Sequence, residues 1–279
     1  MILTIITINY NNATGLGKTM QSVLAQTFMD FEYIVVDGGS TDGSTDVIRR
    51  FEKGFGERLH WTSEPDKGIY NAMNKGIVKA CGDYLEFLNS GDCLVDDNVV
   101  ERMVGELKKQ GCPSILYGNM LKSMPDGRIL RDRCFAGEDI TLQGMYHGCL
   151  NHSPAFIGRS LFEKYGLYDE TLRICSDWKW YVMSIVLGEE RPVYVDMDVT
   201  LFDMTGISET NKELLESERS SLLKQMIPAG ILSDYDKWYS SVDMVKRLMK
   251  YPVVFNMVRF VERCLFQIDK RKGKRAVKI

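Results

Sequence analysis

The sequence has no apolar run long enough to cross a bilayer, which excludes a membrane-spanning helix. It has no excess of basic residues either: the formal net charge is −3, against the basic balance expected of a general nucleic-acid binder. Paired cysteine spacings are missing. The seven cysteines are scattered and odd in number, so a disulfide framework is not expected and a reducing cytoplasm fits better. Cys149 and His152 have the spacing of zinc ligands, but no second pair stands nearby to complete four-coordination. The opening Met-Ile-Leu-Thr-Ile-Ile-Thr-Ile-Asn lacks the basic segment of a signal peptide. A complete P-loop is absent as well, because Gly15-Leu-Gly-Lys-Thr19 has Asn12 where the pattern needs its first glycine. There is no internal repeat and no low-complexity linker.

What is present is an alternation of strand and helix. Ile2 to Ile8 is apolar and largely β-branched, and Asn9-Tyr10-Asn11-Asn12 stops it, which predicts a buried first strand and a polar loop. Met20, Val23 and Leu24 then recur at helical spacing. Phe31 to Val36, Leu59 to Thr62 and Tyr84 to Leu88 repeat the strand pattern, with helical patterns between and after them. This predicts a parallel, doubly wound α/β sheet with right-handed crossovers, so the polar loops gather at one sheet edge and bring Asn9, Asp37, Asp66 and Asp92 together. From Pro113 the rhythm changes to a mixed half: a strand at Ile115, a hairpin turn over Met124 to Arg128, an aromatic helix opening at Asp177 and a last strand over Val193 to Phe202. From about Asn211 the pattern is helical.

Each loop carboxylate has two readings. Asp92, after Asn89-Ser90-Gly91, either closes a turn or holds a divalent cation against a phosphate. Asp37 precedes Gly38, Gly39 and Ser40, where Ser40 or Thr41 can cap a helix while Asp37 accepts hydrogen bonds from a nucleobase or ribose. Asp66 caps a helix or meets a ligand. Asp177 alone reads as a helix N-cap. Trp178 and Trp180 cannot share one helix face, so one is expected in the core and the other, with Trp178 as the candidate, along a cleft.

Five stretches in order, Thr7 to Asn11, Ser22 to Thr27, Val36 to Ser44, Asp66 to Gly76 and Gly82 to Asp92, resemble family 2 glycosyltransferases, nearest to the bacterial branch that builds capsule, O-antigen and exopolysaccharide. The resemblance covers roughly the first 205 residues. It implies a GT-A nucleotide-diphospho-sugar transferase fold: a catalytic domain over 1–205, with a nucleotide-binding half (1–112) and an acceptor-binding half (113–205). A helical C-terminal extension with a basic tail follows over 206–279. It implies an inverting, metal-dependent enzyme with a nucleotide-sugar donor, usually UDP-linked, and a glycan or lipid-linked acceptor.

By the same resemblance Thr7, Asn9, Asp37, Asp66, Asn74 and Asn89 are nucleotide-binding candidates. Asp92 is the ligand of Mn²⁺ or Mg²⁺, and Asp177 is the base that takes the acceptor proton. His152, Trp178, Gly206 and Ser208 are candidates for contacts with acceptor or diphosphate; for His152 a buried structural role stands beside this. The metal motif departs from the usual Asp-X-Asp, since only its last position keeps a carboxylate. Two other readings are a sugar-1-phosphate nucleotidyltransferase, which normally shows a Gly-rich, basic loop that Asn9 to Thr14 lacks, and a non-catalytic sugar-nucleotide-binding subunit. Val253 to Ile268 reads as an amphipathic helix, and six basic residues follow from Lys270. It packs on its own domain, on a second subunit as a homodimer, or on the anionic inner face of the cytoplasmic membrane.

Overall fold

Seven consecutive buried residues, Leu3–Asn9, form β1, the strand around which the sheet is laid. The computed structural model describes residues 1–124, 126–204 and 211–275. β2 (Phe31–Asp37) lies parallel to β1 in a register that sets Asn9 beside Asp37, and β3 (Leu59–Ser63) lies parallel to β2. β4 (Tyr84–Phe87) flanks β1 on its other side, also parallel. The order β3-β2-β1-β4 reverses direction between β1 and β4, and in open α/β sheets that switch opens a crevice beyond the carboxyl ends of the strands.

Helices cover both faces. α1 (Ala13–Leu24), α2 (Ser44–Phe55) and α4 (Val99–Lys109) share one core, in which Leu16, Met20, Ile48, Met103 and Leu107 pack on Leu3, Ile5, Tyr33 and Val35. α3 (Ile69–Lys79) packs on β1 and β2. The contact is close: a Cβ on Gly76 would lie 2.5 Å from Ile6 Cγ2, so only glycine fits.

The mixed half continues the same sheet. β8 (Ala155–Gly158) runs antiparallel to both β4 and β6 (Ile115–Ser123). β9 (Val193–Asp203) lies parallel to β6, and the short β5 (Cys93–Leu94) pairs with β9. β7 (Ile129–Asp132) returns against β6 as the expected hairpin. α5 (Leu142–His147), which the sequence pattern does not predict, α6 (Arg159–Tyr165) and α7 (Ser176–Tyr181) complete this part, α7 passing into a π-helical turn over Val182–Leu187.

The chain divides into two compact units, Met1–Arg219 and Ser220–Ile279. α8 (Lys212–Met226) begins in the first. α9 (Ala229–Met249) and α10 (Pro252–Arg275) form the helical extension and pack on each other. Along α10, Val253, Met257, Phe260, Val261 and Leu265 are exposed.

Two capping expectations change. The N-cap of α2 is Gly43 rather than Ser40 or Thr41, with Asp42 accepting from Ser44. α7 is capped by Cys175, and Asp177 sits within the first turn.

Candidate active site

The crevice at the β1/β4 switch is a cavity of about 430 Å³. Asn9 from the end of β1, Asp66 and Tyr70 from the start of α3, and Asn89, Ser90 and Asp92 from the turn after β4 line it from the parallel half. From the mixed half come His152, Arg173, Ile174, Asp177, Phe202 and Asp203.

The Asn-Ser-Gly-Asp turn is held from α1. The Thr19 hydroxyl lies 2.7 Å from the Asp92 carbonyl oxygen and accepts the Gly91 N–H at 3.0 Å. Asn12, the residue that breaks the P-loop pattern, caps α1 through Gly15 N–H and donates to the Ser90 carbonyl at 3.1 Å. The turn is thus a fixed platform. Asp92 is 3% exposed; its Oδ1 accepts the Asp203 N–H at 2.9 Å, while Oδ2 has no protein partner. Burial pushes the Asp92 carboxyl up to about 7, and the neighbouring Asp203 carboxylate adds to the rise.

Across the cavity, three side chains from different parts of the chain meet. Asp177 Oδ1 accepts from the Tyr70 hydroxyl at 2.8 Å, and Asp177 Oδ2 lies 3.1 Å from His152 Nδ1. The far ring nitrogen of His152 is 3.3 Å from Asn89 Nδ2. Burial alone would raise the Asp177 carboxyl, but the bonds from His152 and Tyr70 outweigh it and hold the group below its ordinary range. Burial likewise works against a charged His152, and Asp177 outweighs it, so the ring is held above its usual range. An ionised carboxylate at the wall of a cavity, held in orientation by two neighbouring side chains, is suited to taking a proton from a hydroxyl.

The loop that carries Asp177 is fixed from behind. Glu218 on α8 accepts three successive backbone N–H groups, from Arg173 at 2.7 Å, Ile174 at 2.9 Å and Cys175 at 3.0 Å.

Several expected residues lie elsewhere. Asp37 is fully buried behind Asn9, and its carboxylate takes donors from Asn9, Ser63 and both the N–H and the hydroxyl of Ser40. Burial opposes the charge, yet those bonds outweigh it and keep the carboxyl below its ordinary range. With its oxygens so engaged, Asp37 orients Asn9 and does not itself face the cavity. Thr7 is buried in the sheet, donating to the Leu88 carbonyl at 2.7 Å. Asn74 is also buried, donating to the Tyr168 carbonyl and to Glu170 and accepting the Tyr168 N–H. These two polar side chains serve the scaffold. Trp178 is 1% exposed, with its ring N–H on the Met145 and Gly148 carbonyls, and Trp180 stacks on Phe162. Both tryptophans are in the core, because α7 is covered on two sides. Gly206 and Ser208 lie outside the described residues.

The geometry also adds residues that the sequence reading missed. Tyr70 has a signal in hindsight, since it stands one turn after Asp66 on the helix that opens at the cavity. Asp203 and Glu218 have none, because their partners are remote in sequence.

Known proteins are similar to this chain in sequence and in fold. Residues 4–166 fit the family model described as glycosyl transferase family 2. An uncharacterized glycosyltransferase of Mycobacterium tuberculosis is 35% identical over 208 residues, covering 74% of this chain and 76% of that protein. A PGL/p-HBAD biosynthesis glycosyltransferase of Mycobacterium bovis is 29% identical over 209 residues, covering 74% of this chain and 79% of that protein. Among solved structures, Staphylococcus aureus TarS 1-349 in complex with UDP-GlcNAc superposes with a TM-score of 0.63 at 16% identity, over 81% of this chain and 72% of that one. The mannosyltransferase PcManGT from Pyrobaculum calidifontis, in complex with GDP-Man and Mn²⁺, gives a TM-score of 0.61 at 17% identity, over 78% of this chain and 61% of that one. At such identities the structural likenesses speak for the fold, which is GT-A. The sequence matches go further, and by them the chain belongs to glycosyl transferase family 2.

Proposed function

We propose that this glycosyltransferase moves a sugar, with inversion, from a nucleotide-diphosphate donor to a hydroxyl of a glycan or lipid-linked acceptor in surface polysaccharide assembly. The observation that carries the reading is the pairing, across one cavity, of an orphaned buried carboxylate oxygen on Asp92 with the ionised Asp177 held by Tyr70 and His152. Asn9 and Asp66 face the nucleotide, with Asp37 holding Asn9 in place. Asp177 takes the proton of the acceptor hydroxyl as its oxygen attacks the anomeric carbon, and the bond to the diphosphate breaks on the opposite side. A purely binding subunit has no need of that second carboxylate.

The donor set fits a divalent cation. Four aspartates, Asp66, Asp92, Asp177 and Asp203, line the cavity against Arg173 and His152, so a diphosphate enters more favourably with a cation. Among the described residues no cluster of three or more His, Cys, Asp or Glu side chains has metal-binding geometry. The fit is therefore to Mn²⁺ or Mg²⁺ held by Asp92 together with the donor phosphates. Such a cation, when bound, offsets the charge that develops on the departing diphosphate. Calorimetry with UDP and GDP, with and without Mn²⁺, tests the donor class: affinity that rises with metal is expected.

The exposed apolar side chains of α10, followed in sequence by Lys270, Arg271, Lys272, Lys274, Arg275 and Lys278, favour an anionic membrane face as the place of work. No helix among the described residues is long and apolar enough to cross a membrane. Binding to anionic vesicles that weakens with salt, and is lost on truncation after Met249, is the expected result.

A further inference from the structure

Gly91 directly precedes Asp92 in the turn after β4, and its backbone has φ +111°, a conformation that side chains rarely adopt. The reason for a glycine lies across the cavity floor. A Cβ at Gly91 would lie 2.9 Å from Asp203 Oδ2, at the end of β9. The absent side chain therefore leaves room for the Asp203 carboxylate to approach the turn.

Two more contacts define the pair. The Asp203 N–H donates to Asp92 Oδ1 at 2.9 Å, which sets the two residues side by side. Asp92, almost fully buried, keeps Oδ2 without a protein partner, and both aspartates line the same cavity. A buried acceptor oxygen with no donor is explained by a ligand that the protein is built to meet.

We propose that Asp203 is a second carboxylate ligand of the divalent cation, supplying from the end of β9 a second carboxylate beside Asp92 that the turn itself does not carry. The inference rests on the transferase reading above. Hard cations of this class are held by one or two carboxylates together with substrate phosphates, and Asp92 with Asp203 makes such a pair. The backbone bond between them is independent of the Asp203 side chain, so the carboxylate can be altered without releasing Asp92.

The test titrates Mn²⁺ into the full chain saturated with UDP, or with GDP if that is the nucleotide that binds, reading free metal by its paramagnetic resonance signal. Asp203→Asn is expected to raise the Mn²⁺ dissociation constant by about tenfold or more, with metal-free nucleotide affinity kept within about twofold. Gly91→Ala, whose methyl meets the Asp203 carboxylate, is expected to give a rise of about threefold. If Asp203→Asn loses metal-free nucleotide binding, Gly91→Ala decides, and an unchanged Mn²⁺ affinity there overturns the inference. An Asp203→Asn chain that binds Mn²⁺ within about twofold of wild type also overturns it, and leaves the transferase reading standing. A wild-type chain that binds nucleotide with no gain from Mn²⁺ overturns the metal site as a whole. One that binds neither nucleotide overturns the transferase reading itself.

Discussion

The Tyr70 hydroxyl lies 2.8 Å from Asp177 Oδ1, so α3 of the parallel half grips a carboxylate 107 positions further along the chain. The same hydroxyl is 2.5 Å from the Ile174 carbonyl oxygen, which ties the whole Asp177 loop to α3. Tyr70→Phe removes the hydroxyl, whose one proton is shared between these two oxygens, and keeps the ring. It is expected to lower kcat by about tenfold, through loss of Asp177 orientation, while nucleotide affinity is unchanged. Steady-state kinetics beside calorimetry check this; an unaltered kcat would show that Asp177 needs no such support.

Glu218 acts on the loop from the other side. Its carboxylate accepts three backbone donors, two of them partly buried, so Glu218→Ala leaves them without that partner and is expected to cost about 1–3 kcal/mol of stability. Because that loop carries Asp177, transfer falls as well. Urea unfolding measures the first effect, and a midpoint unchanged from wild type would contradict it.

Asp37 gives a prediction with a direction in pH. Its folded carboxyl is held below the ordinary range, so the stability it contributes is present at neutral pH and is lost as the pH falls through and below that range. Asp37→Asn keeps the shape but sets an amide donor against Ser40, Ser63 and Asn9, with an expected loss of about 1.5–3 kcal/mol at pH 7. The gap between variant and wild type should narrow in acid. Thermal melts from pH 7 to 3 test it, and a gap that widens in acid would refute it.

Glu86 on β4 behaves in the opposite sense. It is fully buried, neither carboxyl oxygen has a protein partner, and burial pushes the group up to about 8 from an ordinary value of 4.5. A raised acid stabilises the fold below its ordinary value, and that contribution drains away as the pH rises through about 8. Glu86→Gln removes the ionisation, and at pH 8 it is expected to be more stable than wild type by about 1–3 kcal/mol. Melts at pH 5 and pH 8 decide the matter: equal pH dependence in both proteins would mean that Glu86 does not hold its proton.

The parallel half was legible because its signals are local. Runs such as Ile2 to Ile8 and Phe31 to Val36 declare strands by composition, and the alternation with helices fixes their parallel order, which is why Asn9, Asp37, Asp66 and Asp92 could be expected at one edge. Whether a polar side chain at that edge faces the cavity or the scaffold is another matter. Asn74 turns inward because its partner is Tyr168, and Asp37 because Ser63 and Ser40 surround it. Such pairings depend on register across long separations. The role of Gly91 was hidden for the same reason, since Asp203 meets the turn from the far end of β9. Trp178 was misplaced because the i, i+2 argument assumes one buried helix face, whereas the Met145 and Gly148 carbonyls cover α7 on a second side.

The proposed transfer depends most directly on Asp177. The decisive measurement is transfer and hydrolysis of a panel of UDP- and GDP-sugars with Mn²⁺ by wild type and Asp177→Asn, with nucleotide affinity followed in parallel. The prediction is metal-dependent turnover of at least one donor by wild type, and a loss of about 10²–10⁴-fold in Asp177→Asn at nearly unchanged nucleotide affinity. Asp177→Asn turning over at the wild-type rate would contradict it.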